Sequence, residues 1–249
     1  MKKLLRLLVL MMLISSFTFA QDDESATDYK MYETMYLKPK TDKMMELGEA
    51  LAKHNRTYHK DDPYKVHIWM ANTGPHTGEL VYVMGPCTFT DLDSRPDSEE
   101  HTEDWIKNVM PYVKEVSDGE YWKMDDKLSY SPDGSFTGKE IWSVYDIKPF
   151  DSYRFKALLE KVVEVYKQKE YPNYFEVYFN QFDSDNGRDV AIGFGFPNYA
   201  FFDEDDTFWK DYEDVHGEGS RWKFFEEFRD IVNNSYDELS EYIPELSSE

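Results

Sequence analysis

Pro63-Tyr64-Lys65-Val66-His67-Ile68-Trp69-Met70-Ala71 decides the fold, because its outline returns as Pro172-Asn173-Tyr174-Phe175-Glu176-Val177-Tyr178, offset by 109 residues from Pro63 to Pro172. Val66, Ile68 and Met70 alternate with His67, Trp69 and Ala71, the period of a half-buried strand. Outward from this stretch, Lys38-Pro39 recurs as Lys148-Pro149, and Met84-Gly85-Pro86 recurs as Phe194-Gly195-Phe196-Pro197. The offsets stay between 109 and 111 residues. A spacing this constant marks a duplicated unit.

Each copy reads β-α-β-β-α-β. In the first, residues 31–37 are strand-like, and Thr41 and Asp42 offer helix caps. Met44, Leu47, Leu51 and Tyr58 then fall on one helical face. Residues 66–71 and 80–84 form a strand pair across a Gly- and Pro-rich turn. A second helix carries Trp105, Val109, Tyr112 and Val116 with Pro111 as a kink, and a strand over 120–130 closes the unit. The second copy has a strand over 141–147 and a helix capped by Asp151 or Ser152, with Phe155, Leu158, Val162 and Tyr166 inward. A hairpin over 174–182 and 189–196 turns at Asn186-Gly187. A helix lined by Trp222, Phe225, Phe228 and Val232 and a strand over 236–246 complete it. Trp105 and Trp222 break the common offset, which places an insertion around 208–219. The organisation expected is a leader over 1–20, a polar disordered tail over 21–30, one repeat over 31–130, a linker over 131–139 and a second repeat over 140–249.

A βαββαβ unit folds as a four-stranded antiparallel sheet with both helices on one face. Its other face stays open, and here that face carries His67, Trp69, Glu176 and Tyr178. Element order and repeat together resemble the dimeric α+β barrel superfamily, in which two ferredoxin-like units build one barrel. The resemblance covers roughly residues 31–246. It implies an α+β fold of two tandem ferredoxin-like βαββαβ units forming an intramolecular barrel, so a second chain is not required to close it. The superfamily includes antibiotic-biosynthesis monooxygenases, haem-degrading monooxygenases, haem peroxidases and stress proteins, and fold alone does not choose among them.

Lys2, Lys3 and Arg6, an apolar run over 7–17 and Thr18-Phe19-Ala20 read as a secretory leader cleaved before Gln21. The run is too short for the roughly 20 residues a bilayer span needs. We therefore expect an exported protein, periplasmic or extracellular, without membrane insertion. The chain carries 28 basic against 50 acidic side chains, a net charge of −22, and losing the leader deepens the deficit. Such a surface repels phosphate backbones, which argues against nucleic acid. Cys87 is the single cysteine, so no intramolecular disulfide forms. Its setting reads as a buried, inert thiol.

No nucleophile, base and orienting group converge in the sequence, so no catalytic residue is assigned. Five of the six histidines, His54, His59, His67, His76 and His101, lie in the first half. Their spacing matches no zinc pattern. His54 and His59 fall around a helix end, where solvated histidines are ordinary. The resemblance would make a helix-borne histidine the haem ligand. His101 fits that description, Glu218 takes the matching place in the second half, and His216 lies in the insertion; no matching asparagine and tryptophan can be placed. No cofactor is favoured, and haem is an alternative. Asp183-Ser184-Asp185-Asn186-Gly187 fails the calcium-loop pattern, and Asp91, Asp93, Asp97 and residues 203–206 read as solvated loops.

The ligand-binding residues expected are His67 and Trp69 from the first half and Glu176 and Tyr178 from the second, matched through the repeat. A histidine facing a carboxylate in a shielded interior has its charged form stabilised. With 17% aromatic residues, a small-molecule-binding or weakly catalytic barrel with an apolar cavity for a small apolar or aromatic ligand is the leading expectation. A monooxygenase-like enzyme, cofactor-free or haem-dependent, is the alternative. A purely structural partner-binding module, the third reading, requires no pocket.

Overall fold

The computed structural model describes residues 29–182 and 185–248. The expected leader, the tail up to residue 28, and Asp183 and Ser184 of the acidic turn lie outside the described residues. The first half contains β1 (Met31–Pro39), α1 (Met44–Tyr58), β2 (Val66–Ala71), β3 (Leu80–Cys87), α2 (Phe89–Asp93), α3 (Glu99–Asp104), β4 (Val113–Val116) and β5 (Glu120–Met124). The second contains β6 (Lys139–Ile147), α4 (Ser152–Lys169), β7 (Phe175–Asn180), β8 (Val190–Gly195), α5 (Phe208–His216), α6 (Ser220–Ile231) and β9 (Val232–Tyr242).

The two halves share one strand order: β2-β3-β1-β5 in the first, β7-β8-β6-β9 in the second. They join edge to edge. Trp69, Met70 and Ala71 of β2 pair with Tyr242, Glu241 and Ser240 of β9. Trp122, Lys123 and Met124 of β5 pair with Asn180, Phe179 and Tyr178 of β7. Both junctions are antiparallel and are related by the repeat, each joining the first edge strand of one half to the last edge strand of the other, so eight strands close into a barrel. Closure removes the exposed edges that each sheet alone would present. The chain therefore has the dimeric α+β barrel fold, with both ferredoxin-like halves in one polypeptide.

The helices pack outside the barrel. On α4, Phe155, Leu158, Val162 and Tyr166 are all buried, against Val177, Val190 and Ile192 of the sheet. On α1, Leu47 and Leu51 are fully buried among Val66, Ile68 and Leu80. Trp122, Met124, Val144, Tyr178 and Ala191 form a third cluster. Among the described residues, no helix is long and apolar enough to cross a membrane.

Several expectations are corrected locally. Pro111 ends the second helix instead of kinking it. The chain passes through a π turn at Trp105–Val109 and a 3-10 turn at Met110–Tyr112. Val116 then belongs to β4, an edge strand on the C-terminal end of β1. Proline cannot donate to the helical ladder, so the helix gives way where that donor is missing. Neither Thr41 nor Asp42 caps α1, whose first-turn N–H groups receive no side-chain cap from Lys43. The strand expected over 120–130 stops at Met124, and only Tyr130 returns to bridge Phe175. The insertion is a helix, α5, and Val232 begins β9 instead of ending α6. Trp222, expected inward, is 65% exposed.

Two glycines of β8 let aromatic rings cross the strand. A Cβ on Gly195 would stand 2.0 Å from the Tyr174 ring, and one on Gly193 would stand 3.3 Å from the Trp142 ring. Gly195→Ala should therefore destabilise the protein by about 1–3 kcal/mol, the cost of overpacking, read as a lowered thermal midpoint. An unchanged midpoint would contradict this packing.

Candidate functional site

Alternation along five strands aims one row of side chains into the barrel. β1 contributes Tyr32, Thr34 and Tyr36; β2 contributes His67 and Trp69; β6 contributes Glu140, Trp142 and Val144; β7 contributes Glu176 and Tyr178; β9 contributes Glu238, Ser240 and Tyr242. These residues line one cavity of about 620 Å³. The stretch from Ser131 to Phe136, expected only to link the repeats, also lines it. His67, Trp69, Glu176 and Tyr178 thus share one cavity. Tyr178 is buried and the other three are half-buried.

Aromatic rings form much of the wall. Tyr178 packs edge-on to Tyr32 at 5.9 Å and tilted against Trp142 at 5.3 Å. Trp69 lies 5.3 Å from the Tyr242 ring and 6.1 Å from that of Phe136.

The polar groups are mostly carboxylates. Glu140 Oε1 accepts a hydrogen bond from the Tyr174 hydroxyl at 2.5 Å, while its buried Oε2 has no hydrogen-bond partner among the described residues. Burial, with Glu176 nearby, pushes the Glu140 carboxyl up to about 7. Glu238 Oε1 binds His76 Nδ1 at 2.8 Å and accepts from the Tyr36 hydroxyl at 3.3 Å. Its Oε2 is likewise buried and without a hydrogen-bond partner among the described residues. Glu176 accepts from the Tyr178 hydroxyl at 2.7 Å. Burial, then the Glu176 charge, raises the Tyr178 hydroxyl well above its ordinary value, so it stays a donor.

Arg188 is the cavity's guanidinium, and it is already committed. Its Nε donates to Glu120 Oε1 at 2.7 Å, its Nη1 to the Tyr236 hydroxyl and its Nη2 to the Tyr36 hydroxyl at 3.4 Å. Glu120 also accepts from Trp122 Nε1 at 3.1 Å. What remains is an aromatic chamber holding two carboxylate oxygens in need of donors. An orphaned buried acceptor costs about 1–3 kcal/mol, so a donor brought by a ligand relieves a penalty that the free protein carries.

The expected His67–Glu176 partnership is not what stabilises either group. Burial and the Lys65 charge lower the His67 pKa, so its charged form is disfavoured, and Glu176 turns to Tyr178. Sequence reasoning missed Glu140, Glu238 and Arg188. The first two were accessible as alternation: Glu140-x-Trp142-x-Val144 and Tyr236-x-Glu238-x-Ser240-x-Tyr242. Arg188 lies outside any strand and carries no such signal.

The other histidines also depart from expectation. His54 and His59 are 1% and 7% exposed, not solvated. Burial lowers all three of His54, His59 and His101, His59 to about 4. His101 stacks on Tyr58 at 4.8 Å and sits with its Nε2 3.2 Å from His54 Nε2. The adjoining pocket is about 260 Å³ and is walled by Tyr82 and Trp105. With one face covered and its ring nitrogen against a second imidazole, His101 does not fit a haem. His216 ends α5, where Nε2 meets the Lys161 carbonyl. Asp91 closes a capping box with Thr88 on α2, and burial pushes the Cys87 thiol up to about 11, as an inert group requires.

No protein-family model matches the chain, and no curated protein matches it in sequence. Solved structures match in fold. A candidate monooxygenase from Lactobacillus acidophilus NCFM superposes with a TM-score of 0.55 at 11% identity, covering 89% of this chain and 96% of its own. An anthrone oxidase-like protein gives 0.54 at 10% identity, covering 86% and 91%. Chlorite dismutase from Candidatus Nitrospira defluvii, in complex with imidazole, gives 0.54 at 11% identity, covering 88% and 93%. Identities this low establish the shared fold and nothing finer.

Proposed function

We propose that this chain is an exported binding protein whose barrel cavity takes a small aromatic ligand bearing a hydrogen-bond donor, an amine above all. The observation that carries the reading is the pair of orphaned carboxylate oxygens, on Glu140 and Glu238, in an aromatic-walled cavity. A charge-assisted hydrogen bond to either oxygen is worth about 1.5–3 kcal/mol. Rings of Trp69, Trp142 and Tyr242 add cation–π attraction of about 0.5–2 kcal/mol. The same carboxylates reject an anionic ligand. The leader-like segment 1–20 supports export.

Three cavity tryptophans, Trp69, Trp122 and Trp142, give the test its signal. Purified protein is titrated with arylalkyl amines and with alcohols and carboxylates of the same shape, following tryptophan fluorescence. Amines are expected to bind roughly 10-fold or more tighter than the alcohols, and carboxylates not measurably. Carboxylates binding as well as amines would sink the reading.

Glu140 favours a second reading, the monooxygenase-like enzyme. A buried carboxyl titrating near neutrality, within a cavity, is matched to general-base work. Such a base would take a proton from an acidic C–H or O–H of a bound aromatic, leaving an electron-rich anion for dioxygen. Oxygen uptake with phenolic substrates, together with absorbance in the Soret region after haem addition, separates this from binding alone.

A further inference from the structure

We propose that His54, His59 and His101 bind one divalent transition-metal ion, zinc in the first instance, at a site outside the barrel between α1, α3 and the sheet. His54 lies on α1, His59 caps its C-terminus and His101 lies on α3. The sequence shows no metal spacing because the residues come from two helices. The fold nevertheless brings one ligand atom from each to within 4.8 Å of the others. His54 Nε2 and His101 Nε2 stand 3.2 Å apart. Two nitrogens held by a tetrahedral zinc at about 2.0–2.1 Å are roughly 3.3–3.4 Å apart, so this edge needs almost no adjustment.

The opposite ring nitrogens are held as metal-binding histidines usually hold them, against a carboxylate or a carbonyl. His54 Nδ1 meets Asp104 Oδ2 at 2.8 Å, and His59 Nδ1 meets the Tyr64 carbonyl at 2.9 Å. Each bond fixes the ring and leaves Nε2 as the coordinating atom. Asp104 is fixed in turn by Asn108 Nδ2 at 2.7 Å. Imidazole donors suit zinc, copper, nickel and iron.

Three protein ligands leave a fourth position open, the arrangement of reactive zinc sites. That position faces a pocket of about 260 Å³ lined also by Glu33, Arg95 and Thr102. Arg95 ion-pairs with Glu33 through Nη2, yet its buried Nε has no acceptor among the described residues. A water or small anion on the metal would supply one. The site is separate from the barrel cavity and stands or falls independently of it.

The test uses the full chain, dialysed against chelator and then titrated with Zn²⁺ in competition with a chromophoric chelator. Co²⁺, added separately, reports coordination through its visible absorption. We expect one zinc per chain, a rise in thermal midpoint on binding, and a four-coordinate cobalt spectrum. His101→Gln, a half-buried change, removes a direct ligand and should weaken zinc binding by at least the roughly 10–100-fold that loss of an outer-shell partner costs, and abolish the cobalt spectrum, with the metal-free midpoint nearly unchanged. Asp104→Asn keeps all three ligands and should weaken binding about 10–100-fold; it serves if His101→Gln does not fold. Absence of stoichiometric binding, or zinc binding that neither variant weakens, overturns the proposal, the latter assigning the metal to the acidic surface.

Discussion

Arg188→Met is expected to destabilise the protein by about 3–5 kcal/mol, because it leaves the Glu120 carboxylate buried without its partner. The pair is 10% and 8% exposed at its side chains and joined at 2.7 Å. Arg188 comes from the second half, whereas Glu120 and Tyr36 belong to the first, so the guanidinium ties the halves together inside the barrel. Against a total stability of about 5–15 kcal/mol, such a loss is severe. Denaturant titration measures it. Arg188→Met combined with Glu120→Leu should recover part of the loss, since removing both charges removes the uncompensated one. A single-variant cost below about 1 kcal/mol would show that the pair does not bear on closure.

The second large effect is a pH dependence that belongs to Glu140. Its carboxyl has an ordinary value of 4.5 and is raised to about 7 in the fold, chiefly by burial. A raised acid binds its proton more tightly when folded. Its contribution is therefore most favourable below about 4.5 and declines as pH rises from there to about 7. Above that, folding carries an unfavourable contribution of roughly 3 kcal/mol. Glu140→Gln removes the ionisation while keeping an acceptor for Tyr174. The variant should melt higher than the parent at pH 8, with the difference closing towards pH 5. A variant no more stable at pH 8 contradicts the assignment. Stability given up at a functional site is a recognised pattern.

The fold was legible because duplication constrains it twice. The alternation Val66-His67-Ile68-Trp69 says which side chains share a face, and the matched Phe175-Glu176-Val177-Tyr178 says that the same face recurs. The open edges of one half can then pair with the opposite edges of the other, as they do at β2–β9 and β5–β7. Elements that break the repeat were harder to read. Pro111 was compatible with a kink or a stop, and β4 depended on which prevailed. The insertion read as a gap in offset, although α5 buries Tyr212 beneath it.

The candidate site was half legible. His67, Trp69, Glu176 and Tyr178 lie on strands whose period reveals their face, so their meeting in one cavity could be anticipated from the repeat. Their partners could not. Whether Glu176 would meet His67 or Tyr178 depends on ångström-scale offsets across the barrel, and Tyr178 lies on its own strand two positions away. The orphaned oxygens of Glu140 and Glu238 are a property of the closed interior, since either carboxylate on an open sheet would be hydrated. The His54–His101 contact similarly depends on how α3 docks against α1, for which the intervening sequence carries no local signal.

In the proposed function, the carboxylates of the barrel cavity recognise a donor. Calorimetric titration of the tightest arylalkyl amine into the parent protein, Glu140→Gln and Glu238→Gln tests it most directly, with the alcohol of the same shape as control. Each glutamine keeps its neighbours' acceptor but cancels a charge. Each variant should lose roughly 10–100-fold in amine affinity and almost nothing for the alcohol, collapsing the preference between them. Amine affinity unchanged in both variants, or lost equally for amine and alcohol, would contradict it.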